Sequence, residues 1–236
     1  MEVMRRMGKF ILDTVFPIEC LGCKAEGEWL CAACARKIPL EQQDLCFVCK
    51  KMSLSGRTCF SCVQEFPLAH VVRFFDYDEP LVRRAITTAK YSFVKNIFDR
   101  LAGIAAPHIL PKLTTLDLDP RAIVFVPVPL HPRRIRERGF NQSEIIAGHF
   151  AKEVGAQLSL ELVRRRATIP QADLDESDRA RNIRGVFRSS GSISLRGRYV
   201  FLVDDVATTG STLLECGKAL YGAGARQVSA MVLAKG

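Results

Sequence analysis

The sequence predicts an α/β protein: a parallel sheet with helices on both faces, preceded by a small cysteine-rich module. Three observations carry this. Continuous apolar runs such as "AIVFVPVPL" and "RYVFLVDD" read as strands buried on both faces. Strand, helix, strand, loop, strand, helix and strand follow one another, an order that calls for parallel pairing. Eight of the nine cysteines fall before residue 63, all in C-x-x-C pairs.

The 236 residues suffice for one α/β domain and an appendage. At the N-terminus, Val3, Met4, Met7, Phe10, Ile11 and Val15 fall on one face, predicting an amphipathic helix over 1–17 ended by Pro17. The stretch lacks a small-residue cleavage site and Asp13 breaks its apolar run, so it is not read as a signal peptide. No apolar run approaches the ~20 residues of a membrane helix.

The next segment, 18–66, holds the pairs Cys20/Cys23, Cys31/Cys34, Cys46/Cys49 and Cys59/Cys62. Each C-x-x-C turn directs two thiolates at one metal, and two turns complete a tetrahedral site. Four pairs therefore suit two structural Zn²⁺ ions. Regular pairs without a secretion signal argue for a reducing compartment and metal rather than disulfides. A redox role needs one reactive pair, not four. Sequential pairing is the first choice, because the short intervening segments suit hairpins; a cross-braced arrangement is the alternative. A module this small has no core without its metal.

From 67 onward the pattern changes. "LAHVVRFFDYDEP" reads as a strand ending in an acidic turn. "EPLVRRAITTAKYSF" and "VKNIFDRLAGIAAPHIL" have helical periodicity, the second ending near 107–111. "PKLTTLDLDP" reads as a connector, and "AIVFVPVPL" as a buried strand. "NQSEIIAGHFAKEVG" is a helix with Asn141 as N-cap and Glu144 completing a variant capping box. "AQLSLELV" reads as a strand. Residues 164–184 are polar and charged, the mark of a mobile functional loop. A short strand-and-turn region follows, then the strand "RYVFLVDD", the helix "STLLECGKALYGAG" and the last strand "RQVSAMVLA". Cys216 in that helix reads as a small buried residue rather than a thiol catalyst.

The formal charge of +9 favours a polyanionic partner, nucleic acid or a phosphorylated substrate. Much of it is bunched in "HPRRIRER" (131–138), "RRR" (164–166) and "DRARNIR" (178–184).

The chemistry concentrates in "VFLVDDVATTGST" (200–212). A small hydroxyl-rich turn leading into a helix offers free backbone N–H groups and the positive end of a dipole, a cradle for phosphate. Gly210 permits close approach. Asp204 and Asp205 cannot meet that phosphate without repulsion, so they must face sugar hydroxyls or a divalent cation. A ligand carrying both a phosphate and a diol satisfies the two halves; ribose 5-phosphate is the simplest. A Walker B reading requires a G-x-x-x-x-G-K-[ST] motif, which this sequence lacks.

This stretch resembles the phosphoribosyl pyrophosphate (PRPP) motif of type I phosphoribosyltransferases. The resemblance implies that Asp204 and Asp205, at the catalytic centre, bind the ribose 2′- and 3′-hydroxyls. Val206, Ala207, Thr208, Thr209, Gly210, Ser211 and Thr212 complete the implied PRPP site, with 208–212 on the 5′-phosphate. The wider order resembles the ComF family: a multi-cysteine module, "AKY", "VPVPLHPRRIRERGFNQSEIIA", the R-x-x-N-x-x-G-x-F of "RARNIRGVF", then the PRPP motif. That implies a double zinc ribbon joined to a type I phosphoribosyltransferase-like domain over 67–236, with hood and flanking helices at 67–118 and core at 119–236. It also implies Mg²⁺ with PRPP. His131, Arg133, Arg134, Arg136 and Arg138, with Arg181, are the implied ligands of pyrophosphate or nucleic acid, and 164–184 the counterpart of the closing loop. The implied role is in natural transformation: handling single-stranded DNA in the cytoplasm or at the inner face of the membrane, with DNA-uptake proteins as partners. The alternative is a true phosphoribosyltransferase moving ribose 5-phosphate to an amine or base; no acceptor-specific element is legible. Phe140 and Phe187 are stacking faces on the DNA reading and core residues otherwise. Lys90 and Tyr91 match a K-[YF] element of the family to which no role is assigned.

Overall fold

A computed structural model describes residues 17–41, 43–166 and 181–236. The expected helix over 1–17 and the middle of the expected loop over 164–184 lie outside the described residues.

After the cysteine module come β1 (Val71–Asp76), α1 (Pro80–Tyr91), α2 (Lys95–Ala105), α3 (Ile109–Thr114), β2 (Ile123–Pro127), α4 (Pro132–Arg138), α5 (Gln142–Val154), β3 (Gln157–Leu158), β4 (Leu162–Arg164), β5 (Phe187–Ser189), β6 (Tyr199–Ala207), α6 (Ser211–Gly222) and β7 (Gln227–Lys235). Five strands form a parallel sheet in the order β1-β7-β6-β2-β3. β4 and β5 form a separate antiparallel pair.

Strand periodicity explains the two cores. Phe201 and Val203 of β6 join one, Val200 and Leu202 the other. The first core is roofed by α1, α2, α3 and α5; the second by α6, through Leu213, Cys216 and Leu220. This is the expected sheet with helices on both faces. In the first core Phe125 lies 5.7 Å from Phe201 and 6.4 Å from Phe150 between ring centroids. Each such buried ring contributes about 2–3 kcal/mol.

The cysteine module belongs to both cores. Its first half supplies Cys20, Leu30, Cys34, Ala35 and Ile38 to the first. Its second half supplies Phe47 and Phe66 to the second, with Leu68 just beyond it. The ribbons therefore cap opposite faces of one sheet.

Local rules set the helix starts. Glu79 caps α1 by accepting from the Leu81 amide at 3.4 Å, with Pro80 in the first turn. Asn141 caps α5 by accepting from the Ser143 amide at 3.2 Å. Its own amide donates to Glu144 Oε1 at 3.1 Å, the variant box the sequence predicts.

Four expectations are corrected. Helix α3 runs into the expected connector, because Pro111 sits in its first turn, where no intrahelical N–H is lost. "AQLSLELV" is not one strand: β3 edges the main sheet while β4 leaves it to pair with β5. β6 continues past the two carboxylates to Ala207. The basic stretch after β2, matched by the resemblance to a pyrophosphate-binding loop, is largely the helix α4, with His131 as its N-cap accepting from the Arg133 amide at 3.2 Å.

Glu161 explains the split of β3 from β4. It is fully buried and accepts from the hydroxyls of Ser189 and Ser192 and the amides of Gly191 (2.9 Å) and Ile193 (3.2 Å). Burial pushes its pKa up, but these donors override it and hold the carboxyl below its ordinary value. A depressed folded pKa gives stability that is present above the unfolded value and lost as pH falls through the folded one. Glu161→Gln turns a donor toward donors and costs about 2 kcal/mol at pH 7. Thermal unfolding checks this: the melting temperature falls by roughly 4–8 °C at pH 7, and the gap narrows below pH 4. An unchanged melting temperature at pH 7 contradicts the assignment.

Candidate ligand site and paired cysteine centres

The eight cysteines gather in sequence order. Cys20, Cys23, Cys31 and Cys34 form one cluster and Cys46, Cys49, Cys59 and Cys62 the other, with ligand atoms within 4.8 Å of one another. Sequential pairing therefore holds over cross-bracing. Sulfur separations of 3.7 Å (Cys23 to Cys31) and 3.5 Å (Cys49 to Cys59) are far beyond a ~2.05 Å disulfide. They approach the ~3.8 Å edge of a tetrahedron with ~2.3 Å Zn–S bonds. Backbone amides of Gly22 and Cys31 donate to Cys20 Sγ, each at 3.4 Å. Burial raises the Cys20 pKa, but these donors bring it down to about 6. The hydrogen bond with Cys23 and burial push Cys34 up to about 12. The donor set fits a dication that replaces the retained protons. Two Cys₄ sites of this kind suit structural zinc.

The second site lies at the C-terminal ends of the strands. The crossover from β2 through α5 and that from β6 through α6 leave on opposite faces, so the strand order reverses between β2 and β6, the position where such sheets bind ligands. The strand ends are tied there by the Val128 amide donating to Val203 O at 2.9 Å.

Gly210 is the N-cap of α6, with φ of 78°, the left-handed region open to glycine. It has no side chain to cap the helix, and Thr209 Oγ1 accepts from the Ser211 amide at 3.4 Å instead. Thr209 and Ser211 pair their hydroxyls at 2.8 Å beside it. An open, shallow polar depression lies over this turn, lined by Asp204 and residues 206–213.

The two carboxylates take different positions. Asp204 borders the depression, its Oδ1 accepting from Ser143 Oγ and from the Asp205 amide, both at 2.9 Å. Burial and the neighbouring Asp205 charge push its pKa up to about 7, against the opposing pull of Lys90 and Ser143. Asp205 is 3% exposed and does not line the depression. Its Oδ1 accepts from the Val206 amide at 2.8 Å, and Lys90 Nζ lies 2.6 Å from Oδ2. Burial works against the Lys90 charge, but the Asp205 carboxylate overrides it and holds the ammonium above its ordinary pKa.

The basic residues divide too. Arg133 turns outward to Glu137 at 3.0 Å. Arg138, half-buried, donates to Gln142 at 2.8 Å. Burial lowers its pKa, and the charges of Asp205 and Arg134 both act on it. Arg136 and Arg181 are exposed. Phe187 is buried, with the Arg164 guanidinium over its ring at 5.6 Å, and Phe140 packs against Phe98 at 6.2 Å; both serve the core rather than an open stacking face. Cys216 is fully buried, as expected.

Three residues of this region escaped sequence reasoning. Lys90 carried a signal: it stands four residues after Ile86 on the buried stripe of α1, where a lysine requires a buried partner. Ser143, fully buried in the first turn of α5, has no local signal that sets it apart. Arg164 was legible only as part of a charge run. It lies within reach of the charges of Arg134 and Asp204, and burial lowers its pKa.

Residues 141–236 match the phosphoribosyl transferase domain family, and residues 11–68 the double zinc ribbon domain family. The chain is 31% identical over 225 residues to the DNA utilization protein YhgH of Escherichia coli, covering 87% of this chain and 96% of the relative. It is 29% identical over 231 residues to competence protein F of Haemophilus influenzae, covering 93% and 98%. Competence protein ComFC of Streptococcus pneumoniae is 32% identical over 111 residues, 47% of each chain. Among the described residues no helix is long and apolar enough to cross a membrane. Identity at this level along nearly the whole of both chains, with a ribbon family and a transferase-domain family matched in one polypeptide, makes the chain a member of the ComF family of phosphoribosyltransferase-like proteins.

Proposed function

We propose that the chain binds PRPP at the 208–212 turn and acts in the uptake or use of DNA, handling single strands in the cytoplasm. One observation carries the ligand reading: the glycine-led, hydroxyl-rich start of α6 and the carboxylate of Asp204 share one polar depression. The turn supplies N–H and hydroxyl donors to the 5′-phosphate. Asp204 accepts from a ribose hydroxyl while Ser143 and the Asp205 amide fix its orientation. Asp205 acts behind it, holding Lys90 so that one of the two adjacent negative charges is balanced. Arg134, Arg138 and Arg164 meet the pyrophosphate. Asp204, which lines the depression, would be available to hold Mg²⁺ carried in with PRPP, and that ion would supply further neutralisation of the pyrophosphate.

Thermal unfolding in the presence of ligand tests this. PRPP with Mg²⁺ raises the melting temperature in proportion to the logarithm of its concentration, and ribose 5-phosphate does so less. Equal shifts with both remove the pyrophosphate interactions; no shift with either removes the site. Pyrophosphate release on adding an amine or a base assigns the chain to the transferases.

The DNA role rests on the names of the relatives and on the exposed basic surface. Arg134→Glu/Arg136→Glu lowers affinity for single-stranded DNA and flattens log Kd against log salt by about 0.7 for each phosphate no longer neutralised. An unchanged slope removes this patch from the interface.

A further inference from the structure

We infer that Phe47 is a positioning residue of the phosphate turn, so that metal occupancy of the second Cys₄ site and ligand binding at 208–212 are linked. The ligand half of this rests on the PRPP reading; the structural half does not.

Phe47 lies inside the knuckle Cys46-Phe47-Val48-Cys49, between two metal ligands. Its ring stacks on Phe66 with centroids 5.2 Å apart. Phe66 is tied back to the same site, its amide donating to Cys62 O at 3.0 Å. The two rings form the floor under Gly210: a Cβ placed there would lie 2.6 Å from Phe47 Cε1 and 2.8 Å from Phe66 Cε2. The turn thus closes on the ribbon at its tightest residue. Lys235, at the end of β7, donates to Phe47 O at 2.9 Å and lies 4.5 Å from the ring centroid, locking the knuckle to the sheet. The bracing continues along α6, where a Cβ on Gly217 would lie 2.6 Å from Leu68 and Tyr221 Oη donates to Pro67 O at 2.9 Å.

The fourth knuckle provides an internal contrast. Phe60 holds the same place in Cys59-Phe60-Ser61-Cys62, yet it is 91% exposed, against 7% for Phe47. The first Cys₄ site packs in the opposite core. The second ribbon is the one that touches the 208–212 turn, through Phe47 and Phe66, and of the two Phe47 lies between metal ligands.

Metal that fixes the Cys46–Cys49 turn therefore fixes the floor of the turn, and a ligand that orders the turn stabilises the knuckle. Linkage makes the two effects equal and reciprocal. Hydrogen exchange on zinc-loaded protein tests the structural half without ligand: Phe47→Ala speeds exchange of the Leu214 amide, which donates to Gly210 O at 2.8 Å, about tenfold, Phe47→Leu restores most of the protection, and Phe60→Ala leaves it unchanged. Unaltered exchange in a folded, fully metallated Phe47→Ala protein overturns the proposal. The wild-type chain tests the linked half: saturating Mg²⁺-PRPP slows transfer of one of two zinc ions to a chromogenic chelator severalfold. Release of both ions at an unchanged rate, in protein shown to bind PRPP, overturns the linkage. Absence of PRPP binding overturns the ligand reading alone, and the exchange experiment still decides the role of Phe47.

Discussion

Asp204→Asn is expected to make the protein more stable at pH 8 while abolishing PRPP binding. Its carboxyl lies where burial and the Asp205 charge disfavour ionisation, raising its pKa from 3.8 to about 7. A folded-state pKa above the unfolded value gives stability that is complete below the unfolded pKa and lost as pH rises through the folded one. At pH 8 the native state carries the full cost of that charge, at most about 4 kcal/mol. Asparagine removes the charge, and its oxygen still accepts from Ser143 Oγ and the Asp205 amide. Half of the ceiling raises the melting temperature by roughly 4–8 °C. The gain over wild type is absent near pH 4, opens between pH 4 and 7 and is constant above. Calorimetric melting of both proteins at pH 4.5 and 8 checks it; a lower melting temperature for the variant at pH 8 contradicts it. On the proposed PRPP reading Asp204 accepts from a ribose hydroxyl, so the same substitution is expected to remove ligand binding.

Zinc removal is expected to have the larger structural effect. Structural zinc contributes about 10–16 kcal/mol to the folding of isolated fingers at neutral pH. Here the loss reaches beyond the ribbons, because Cys20 and Cys34 lie in one core and Phe47 and Phe66 in the other. Chelation of both ions lowers the melting temperature by more than about 20 °C, and two equivalents of Zn²⁺ restore it. Metal analysis gives two zinc ions per chain. A chelated protein that melts like the loaded one contradicts the structural role of the sites.

The sheet was legible because its strands are buried on both faces, so "AIVFVPVPL" and "RYVFLVDD" announce themselves without a turn signal. Cysteine spacing likewise pointed to the clusters, though only the folded chain shows that they pair in sequence. The turn at 208–212 was legible because its residues are local: a glycine, hydroxyls and a helix start within five residues. Other features depend on tertiary contacts. The division of labour between Asp204 and Asp205 is set by Lys90, 115 positions away from Asp205 in the chain, and no local pattern encodes that. The split of "AQLSLELV" follows from the burial of Glu161 among donors near residues 189–193, again a distant pairing. The floor under Gly210 comes from a different module altogether.

The central claim is that the depression over the 208–212 turn receives PRPP through Asp204. Isothermal titration of PRPP with Mg²⁺ into zinc-loaded wild-type and Asp204→Asn protein at pH 8 tests it most directly. Saturable 1:1 binding to the wild type, weakened at least tenfold in the folded and more stable variant, is the predicted result. Equal affinity in both proteins, or no binding to either, would contradict it.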